Sequence, residues 1–401
     1  MTIRRPVTIV ALLSGLNLLN YLDRYVLAAV GPAISRDLGL DDLGFGLLSN
    51  AFMVGYFVTS PLFGALGDRR SRKGLIAGGV AVFCLATMAS GAARTLAGLM
   101  IARALVGIGE ASYATIAPTL VDDLAPPEQK NRWLSVFYVA IPVGSALGYL
   151  LGGQVERAWG WHAAFFVAGA PGLALALLML LVREPPRAAP RARASHEPRA
   201  WVTLARLPAY RDAVVGYVAY TFALGGFAVW APHYLYRRMG LELAAADTWF
   251  GAIVVVAGIA GTFAGAAIGD RWPGADRVRA NLRVCAVTAA LAAPLAFAAL
   301  LAGSPVVFFA MLGVAELLLF ASTSPINVVL LAAVPAELRA TAMAASIFAI
   351  HLFGDLVSPP LVGYLSDRSS LGAAMLVLPA AIVVCAVAWW RGSREHVAAP
   401  A

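Results

Sequence analysis

Apolar runs of about twenty residues recur along the whole chain, separated by short clusters of Asp, Arg, Pro and Gly. They cover 7–30, 43–66, 74–94, 96–122, 131–154, 162–182, 211–236, 245–268, 280–302, 304–333, 338–365 and 370–390. Such a run, coiled as an α-helix, matches the hydrocarbon thickness of a bilayer. Strands of a membrane barrel are shorter and alternate polar with apolar, which these runs do not. The pattern predicts an all-α membrane protein with twelve transmembrane helices.

The longest polar stretch, 183–200, is rich in Pro, Arg and Ala and carries too few apolar residues for a core. It divides the chain into a six-helix bundle over 1–182, a linker over 183–207 and a second six-helix bundle over 208–401. The halves repeat each other. Gly67-Asp68-Arg69 closes the second run, and Gly269-Asp270-Arg271 closes the eighth. Gly107 and Glu110 in the fourth run correspond to Gly313 and Glu316 in the tenth, and Pro118 to Pro325. Six crossings return the chain to the side it left, so the two copies share one orientation: a parallel repeat.

Composition agrees with this picture. Of the 401 residues, 60% are hydrophobic and 13% charged, against roughly 25% charged in soluble domains. The net charge of +8 would suit nucleic acid, but its placement points elsewhere. With the N-terminus inside, 22 of the 30 Lys and Arg residues are cytoplasmic, six are on the far side and two lie within the membrane. That is the positive-inside bias. It places both termini in the cytoplasm, with the apolar segment after Arg5 an uncleaved first helix. Cys84, Cys285 and Cys385 all fall inside apolar runs without metal-ligand neighbours, so neither a disulfide framework nor a metal site is expected.

Charges inside a bilayer are costly and mark function by default. Asp23 and Arg24 lie roughly 24–26 Å along the first helix, and Arg103 about 10 Å into the fourth, which runs the opposite way. All three therefore share one layer of the membrane. Glu110 follows Arg103 by two turns on the same face. An Asp–Arg pairing between helices one and four is geometrically possible, either as a proton-coupling element or as a static link. Glu316 and His351 fall near mid-membrane, and Asp355 stands one turn after His351. A His–Asp pair can hold or relay a proton, though a satisfied interior histidine is the simpler alternative. Gly144, Gly148, Gly152 and Gly153 form a small-residue stripe in helix five suited to close helix contact. Tyr21, Tyr56, Tyr113, Trp230 and Tyr234 are candidate walls of an amphipathic cavity.

The segment Gly64-Ala-Leu-Gly67-Asp68-Arg69-Arg70-Ser71-Arg72-Lys73 puts small residues on a helix end, an acid at the rim and cations in the following loop. It resembles the signature between helices two and three of the major facilitator superfamily. Arg103-Ala-Leu-Val-Gly107-Ile-Gly109 is similar to the family's helix-four motif, and Arg183-Glu184-Pro185-Pro186-Arg187 to its signature after helix six. The second copy of the loop departs from the pattern after Arg271. Asn20-Tyr21-Leu22-Asp23-Arg24, Gly107 to Ser112, Trp230-Ala231-Pro232 and the string from His351 to Pro359 resemble the Spinster branch, which includes lysolipid and sphingosine-1-phosphate transporters. The resemblance covers essentially the whole chain. It implies the major facilitator fold, two pseudo-symmetric bundles and alternating access.

No Walker-type phosphate loop, zinc-protease motif or compact reactive constellation occurs in the sequence. An ATP-driven pump, a metalloenzyme and a membrane enzyme are therefore not expected, and no cofactor is. The expected function is secondary, proton-coupled transport of an amphipathic anion such as a lysolipid or sphingoid-type lipid. A generic carrier of small organic anions or drugs is the alternative. Asp23 and Glu110 are the candidate proton sites. Arg24, Arg103, Tyr113, Trp230, Glu316, His351 and Asp355 are the candidate substrate or charge-pair residues. Gly67, Asp68, Arg69, Arg72, Gly269, Asp270 and Arg271 are the candidate gating residues. The expected partners are substrate, protons and the bilayer. The chain is expected as a monomer in the inner membrane, without nucleic acid.

Overall fold

Polar residues at the borders of the apolar runs become helix caps. Asp41 accepts from the amide of Gly44, Ser71 from Gly74, Thr95 from Gly98, Ser304 from Val307 and Ser370 from Ala373. Each satisfies one of the amides that a helix start leaves unbonded. The computed structural model describes residues 3–126, 130–185, 198–271, 276–335 and 338–395.

Twelve helices among the described residues are long and apolar enough to cross a membrane. They are α1 Pro6–Ala29, α2 Asp42–Gly67, α3 Arg72–Ala92, α4 Leu96–Leu124, α5 Val136–Trp159, α6 Trp161–Leu180, α7 Pro208–Met239, α8 Leu243–Gly269, α9 Arg277–Leu301, α10 Pro305–Ala332, α11 Thr341–Arg368 and α12 Leu371–Arg394. Short helices at Gly31–Leu38 and Pro198–Ala205 lie outside the spans. Four spans are irregular: α5 breaks at Val139 and α12 at Leu376. The α-helical pattern of α10 breaks between Phe320 and Thr323, and α11 carries a π-helical turn at His351–Asp355. Large apolar side chains such as Val58, Leu177, Phe263 and Val306 face outward, as a bilayer-solvated surface requires.

The chain forms two compact units. The first comprises 1–191 together with 242–251. Its buried cluster joins Leu13 and Leu16 of α1 with Ile76 and Val80 of α3, Val106 and Ile116 of α4, and Met179 of α6. Helices α2 and α4 approach very closely: a β-carbon on Gly107 would stand 1.8 Å from the Phe52 carbonyl oxygen, and one on Gly55 2.0 Å from that of Ala104. No side chain fits at either place, so the two glycines fix how α4 is rotated. Six crossings bring the chain back to the face where it began. Ile3 bonds to Leu181 and Arg183 there, in a one-residue parallel bridge with Val182.

The second unit comprises 192–241 and 252–401. It repeats the close approach: a β-carbon on Gly265 of α8 would stand 1.8 Å from the Ala321 carbonyl oxygen, at the break in α10. Its first and last spans are tied by Asp212, which accepts from Arg391 Nε at 2.7 Å and Nη2 at 2.6 Å. Beside it the Trp389 indole donates to the Ala213 carbonyl at 3.1 Å.

Candidate functional site

In the first unit, α1 and α4 bring four charged side chains together. Arg103 donates from Nη1 to Asp23 Oδ1 at 3.0 Å and Oδ2 at 2.8 Å, with both side chains wholly buried. Arg24 forms an ion pair with Glu110; the arginine side chain is 21% exposed and the glutamate 0%. Adjacent residues of opposite sign on α1 thus meet residues of opposite sign two turns apart on α4. The quartet is neutral when fully ionised, which lowers the cost of burying it. The Arg24 guanidinium also lies over the rings of Tyr21 at 5.0 Å and Phe52 at 4.8 Å. Such faces attract a cation and hold its plane in place.

The glycine contacts explain the placement. Gly107 and Gly55 seat α4 on α2, which orients Arg103 and Glu110. On α5, a β-carbon at Gly148 would stand 2.5 Å from the Leu22 carbonyl oxygen, so the stripe in this helix packs the backbone of α1 just where Asp23 follows. Tyr113 is 2% exposed, and its hydroxyl donates to the Leu13 carbonyl at 2.6 Å. It ties α4 to α1 about three turns from Asp23. Among the described residues, Arg103 Nε and Nη2 have no hydrogen-bond partner, leaving donor capacity beyond Asp23.

In the second unit, His351 Nδ1 lies 2.9 Å from Asp355 Oδ2, with the side chains 32% and 27% exposed. The pair brackets the π-helical turn. A π turn widens the helix and leaves its hydrogen bonding irregular, and the Thr221 hydroxyl of α7 lies 3.2 Å from the Ile350 carbonyl oxygen at its edge. Trp230 is fully buried and donates to the Pro359 carbonyl at 3.1 Å. It therefore supports α11 beside the pair. Glu316 is 2% exposed, and its Oε2 has no hydrogen-bond partner among the described residues.

At the loop signature, Arg72 donates to Asp123 at 2.6 Å, joining the start of α3 to the end of α4. Glu184 accepts from the Ser71 hydroxyl and from the Lys73 amide, the latter at 3.0 Å. Burial alone would raise this carboxyl; the bonds from Ser71, Lys73 and Arg72 and the Arg72 charge hold it below the ordinary glutamate value. Gly67 packs on Ile116, and Arg69 is exposed. In the second copy, a β-carbon on Gly269 would meet the Asn281 side chain at 2.6 Å, and Arg271 is exposed. The side chains of Asp68 and Asp270, and residues 272–275, lie outside the described residues.

Three further buried acids among the described residues escaped the sequence reading: Asp42, at the start of α2, is 7% exposed, and two lie inside apolar runs. Asp212 is the structural tie described above. Asp247, near the start of α8, is 0% exposed. An acid inside an apolar run was the available signal, but both stand within a turn or so of a run's edge, where a charge is unremarkable. His233 of α7 is likewise buried, its ring 5.4 Å from Trp230. No group of three or more His, Cys, Asp or Glu suited to a metal ion occurs among the described residues.

Residues 13–354 match the Major Facilitator Superfamily. The human protein spinster homolog 1 is 39% identical over 394 residues, covering 91% of this chain and 74% of its own length. A probable sphingolipid transporter of Arabidopsis thaliana, spinster homolog 2, is 33% identical, covering 92% of this chain and 84% of its own. Among solved structures, a bacterial homolog of the human lysosomal transporter Spinster superposes with a TM-score of 0.86 at 21% identity, covering 97% of each chain. That last likeness speaks to the fold.

Proposed function

This chain belongs to the major facilitator superfamily and is a membrane transporter of the Spinster type, and on that premise we propose that it is a proton-coupled secondary carrier of an amphipathic anion of the lysolipid or sphingoid-lipid class. The observation that carries the reading is the buried quartet of Asp23, Arg24, Arg103 and Glu110. A proton added to either carboxylate leaves its arginine without a counter-charge in a low-dielectric interior. The arginine then favours any arrangement that supplies another anion. A substrate headgroup supplies one, because the planar guanidinium suits phosphate or carboxylate. Arg24 is the partly exposed member, so it meets the headgroup, while buried Arg103 positions Asp23. Proton binding and anion binding thereby favour the same state, which is the thermodynamic content of coupling. The apolar tail follows the aromatic surface around Tyr21 and Phe52. The name of the Arabidopsis relative supports a lipid of this kind.

His351 and Asp355 are assigned to substrate contact or to the conformational change in the second unit, with Glu316 as a further buried acid of that unit. Gly67, Asp68, Arg69 and Arg72, with their counterparts Gly269, Asp270 and Arg271, form the gating loops. The linker over 183–207 joins the two bundles. The charge bias along the sequence favours an inner-membrane protein with both termini in the cytoplasm, and we take the monomer as the working unit.

The test is uptake of a fluorescent lysolipid into proteoliposomes under an imposed pH gradient. Asp23→Asn and Glu110→Gln should retain folded protein and lose gradient dependence. Unchanged dependence in both variants would overturn the coupling. Competition by small organic acids but not by lysolipids or sphingoid lipids would reassign the substrate.

A further inference from the structure

We propose that Asp247 is a second proton-binding site, whose protonated carboxyl is what allows the start of α8 to seat against α5. Residues 242–251 belong by their packing to the first unit, with 1–191, and not to the rest of α8. Asp247 sits in the middle of this segment. It is 0% exposed, and neither carboxylate oxygen has a hydrogen-bond partner among the described residues.

The seat is tight. A β-carbon on Gly153 of α5 would stand 2.8 Å from Asp247 Oδ2 and 3.0 Å from the Ala244 α-carbon. About one turn away, the ring of Phe250 meets that of Tyr149 edge to face at 5.2 Å. Apolar and small groups therefore close over the carboxyl, and among the described residues no cation forms an ion pair with it. The charged groups on these two elements confirm the sense of the field. Glu156, one turn before the end of α5, carries the same sign as Asp247. Arg157 is turned to the exposed edge, where its Nε meets Glu242 Oε1 at 3.1 Å with the side chains 63% and 56% exposed. On the other side of α5, Gly152 meets Ala29 and Val26 of α1, which carry no charge.

An ionised carboxylate in such a place loses its hydration and gains no compensating bond. A neutral carboxyl avoids most of that cost. Ionisation therefore drives the segment off its seat, because only there does the group recover water. This differs in kind from Asp23 and Glu110, which are buried as ion pairs and so can be buried ionised. The inference stands apart from the transport reading, since it concerns a seated segment and needs no substrate.

The experiment follows thiol reactivity in protein lacking Cys84, Cys285 and Cys385. A reporter cysteine replaces Leu243, which is 5% exposed, and a reference cysteine in a separate protein replaces Trp159, which is 73% exposed. The ratio of their maleimide labelling rates corrects for the shared rise of thiolate with pH, and the same reporter in Asp247→Asn corrects for the different surroundings of the two thiols. The reporter should be protected at pH 5.5 and gain at least about tenfold in relative rate by pH 9. With Asp247→Asn, which cannot ionise, it should stay protected throughout. A flat ratio in the parent protein overturns the proposal, as does an undiminished rise in Asp247→Asn. Should Asp247→Asn fail to fold, Asp247→Ser takes its place, and an undiminished rise there overturns the proposal equally. None of these readings requires a proton gradient, so a failure here leaves the role of Asp23 and Glu110 to its own test.

Discussion

Arg103 reaches both carboxylate oxygens of Asp23 from a single nitrogen, at 3.0 and 2.8 Å, and neither side chain meets solvent. Removing one partner of such a pair strands the other charge, at a cost of about 3–5 kcal/mol. Asp23→Ala and Arg103→Ala should each lower the thermal midpoint in detergent markedly. The double variant should lose much less than the two losses combined, because the stranded charge is gone. Additive losses in a double-mutant cycle would show that the two residues stabilise the protein separately.

Arg24 is the partly exposed member of the quartet, held over Tyr21 and Phe52. Arg24→Lys keeps a charge but loses the planar fork. Affinity for an anionic lysolipid should fall roughly tenfold, about 1.4 kcal/mol, with little change for a zwitterionic one. Equal losses for both ligands would remove Arg24 from the headgroup contact. Titration of detergent-solubilised protein measures this directly.

The contact at Gly107 yields a stability prediction with a built-in control. A methyl group there collides with the Phe52 carbonyl, and backbone cannot step aside as a flexible side chain can. Gly107→Ala should cost at least about 1–3 kcal/mol and weaken transport with it. A β-carbon on Gly78 of α3 meets nothing within 4 Å, so Gly78→Ala should be neutral or mildly stabilising. Thermal midpoints of the two variants, measured side by side, check the contrast.

Glu184 gives a pH dependence with a definite sign. Its folded value lies below the ordinary 4.5 because Ser71, Lys73 and Arg72 bind the charged form. A depressed carboxyl contributes stability that is present above the unfolded value and lost as pH falls through the folded one. Glu184→Gln should therefore be less stable than the parent at neutral pH. The gap should close as the pH is lowered below about 4.5 and the parent's own carboxyl protonates. A gap that is constant from pH 7 to pH 3.5 would show that the carboxylate charge contributes nothing.

The His351–Asp355 pair stands in a π-helical turn with both side chains partly exposed. His351→Ala should reduce transport more than it reduces thermal stability. Asp355→Asn should reproduce much of that loss, because the aspartate orients the ring. If the pair acts as a unit, the double variant is little worse than the worse single one. Normal transport in His351→Ala would exclude the residue from the working site.

The fold was open to reading because each part of it is a property of a stretch of chain. Hydropathy averages over some twenty residues, so twelve spans survive errors of a few positions at their ends. Helix starts are marked by single residues such as Ser71, Thr95 and Ser304, whose short polar side chains suit the cap. The duplicated Gly-Asp-Arg loops need only register along the sequence. The layer holding Asp23, Arg24 and Arg103 follows from helix rise alone.

What tertiary structure decided is rotation and pairing. Each helical residue turns its side chain by about 100° from the last, so depth in the membrane leaves open which neighbour a charge will meet. Gly55 and Gly107 set the rotation of α4, and Gly148 that of α1 against α5. Only then does Asp23 take Arg103 while Arg24 takes Glu110. Trp230 and Tyr113, candidates for a cavity wall, turn to backbone carbonyls because a buried N–H or O–H must find an acceptor. The π turn at His351 leaves no mark in hydropathy. Asp247 is the sharpest case: it stands near the edge of an apolar run, where water would be expected. Its burial depends on a glycine ninety-four positions earlier in the chain. The sequence places an acid near the edge of an apolar run; the packing of α8 on α5 decides that it is buried, with no hydrogen-bond partner for its carboxylate among the described residues.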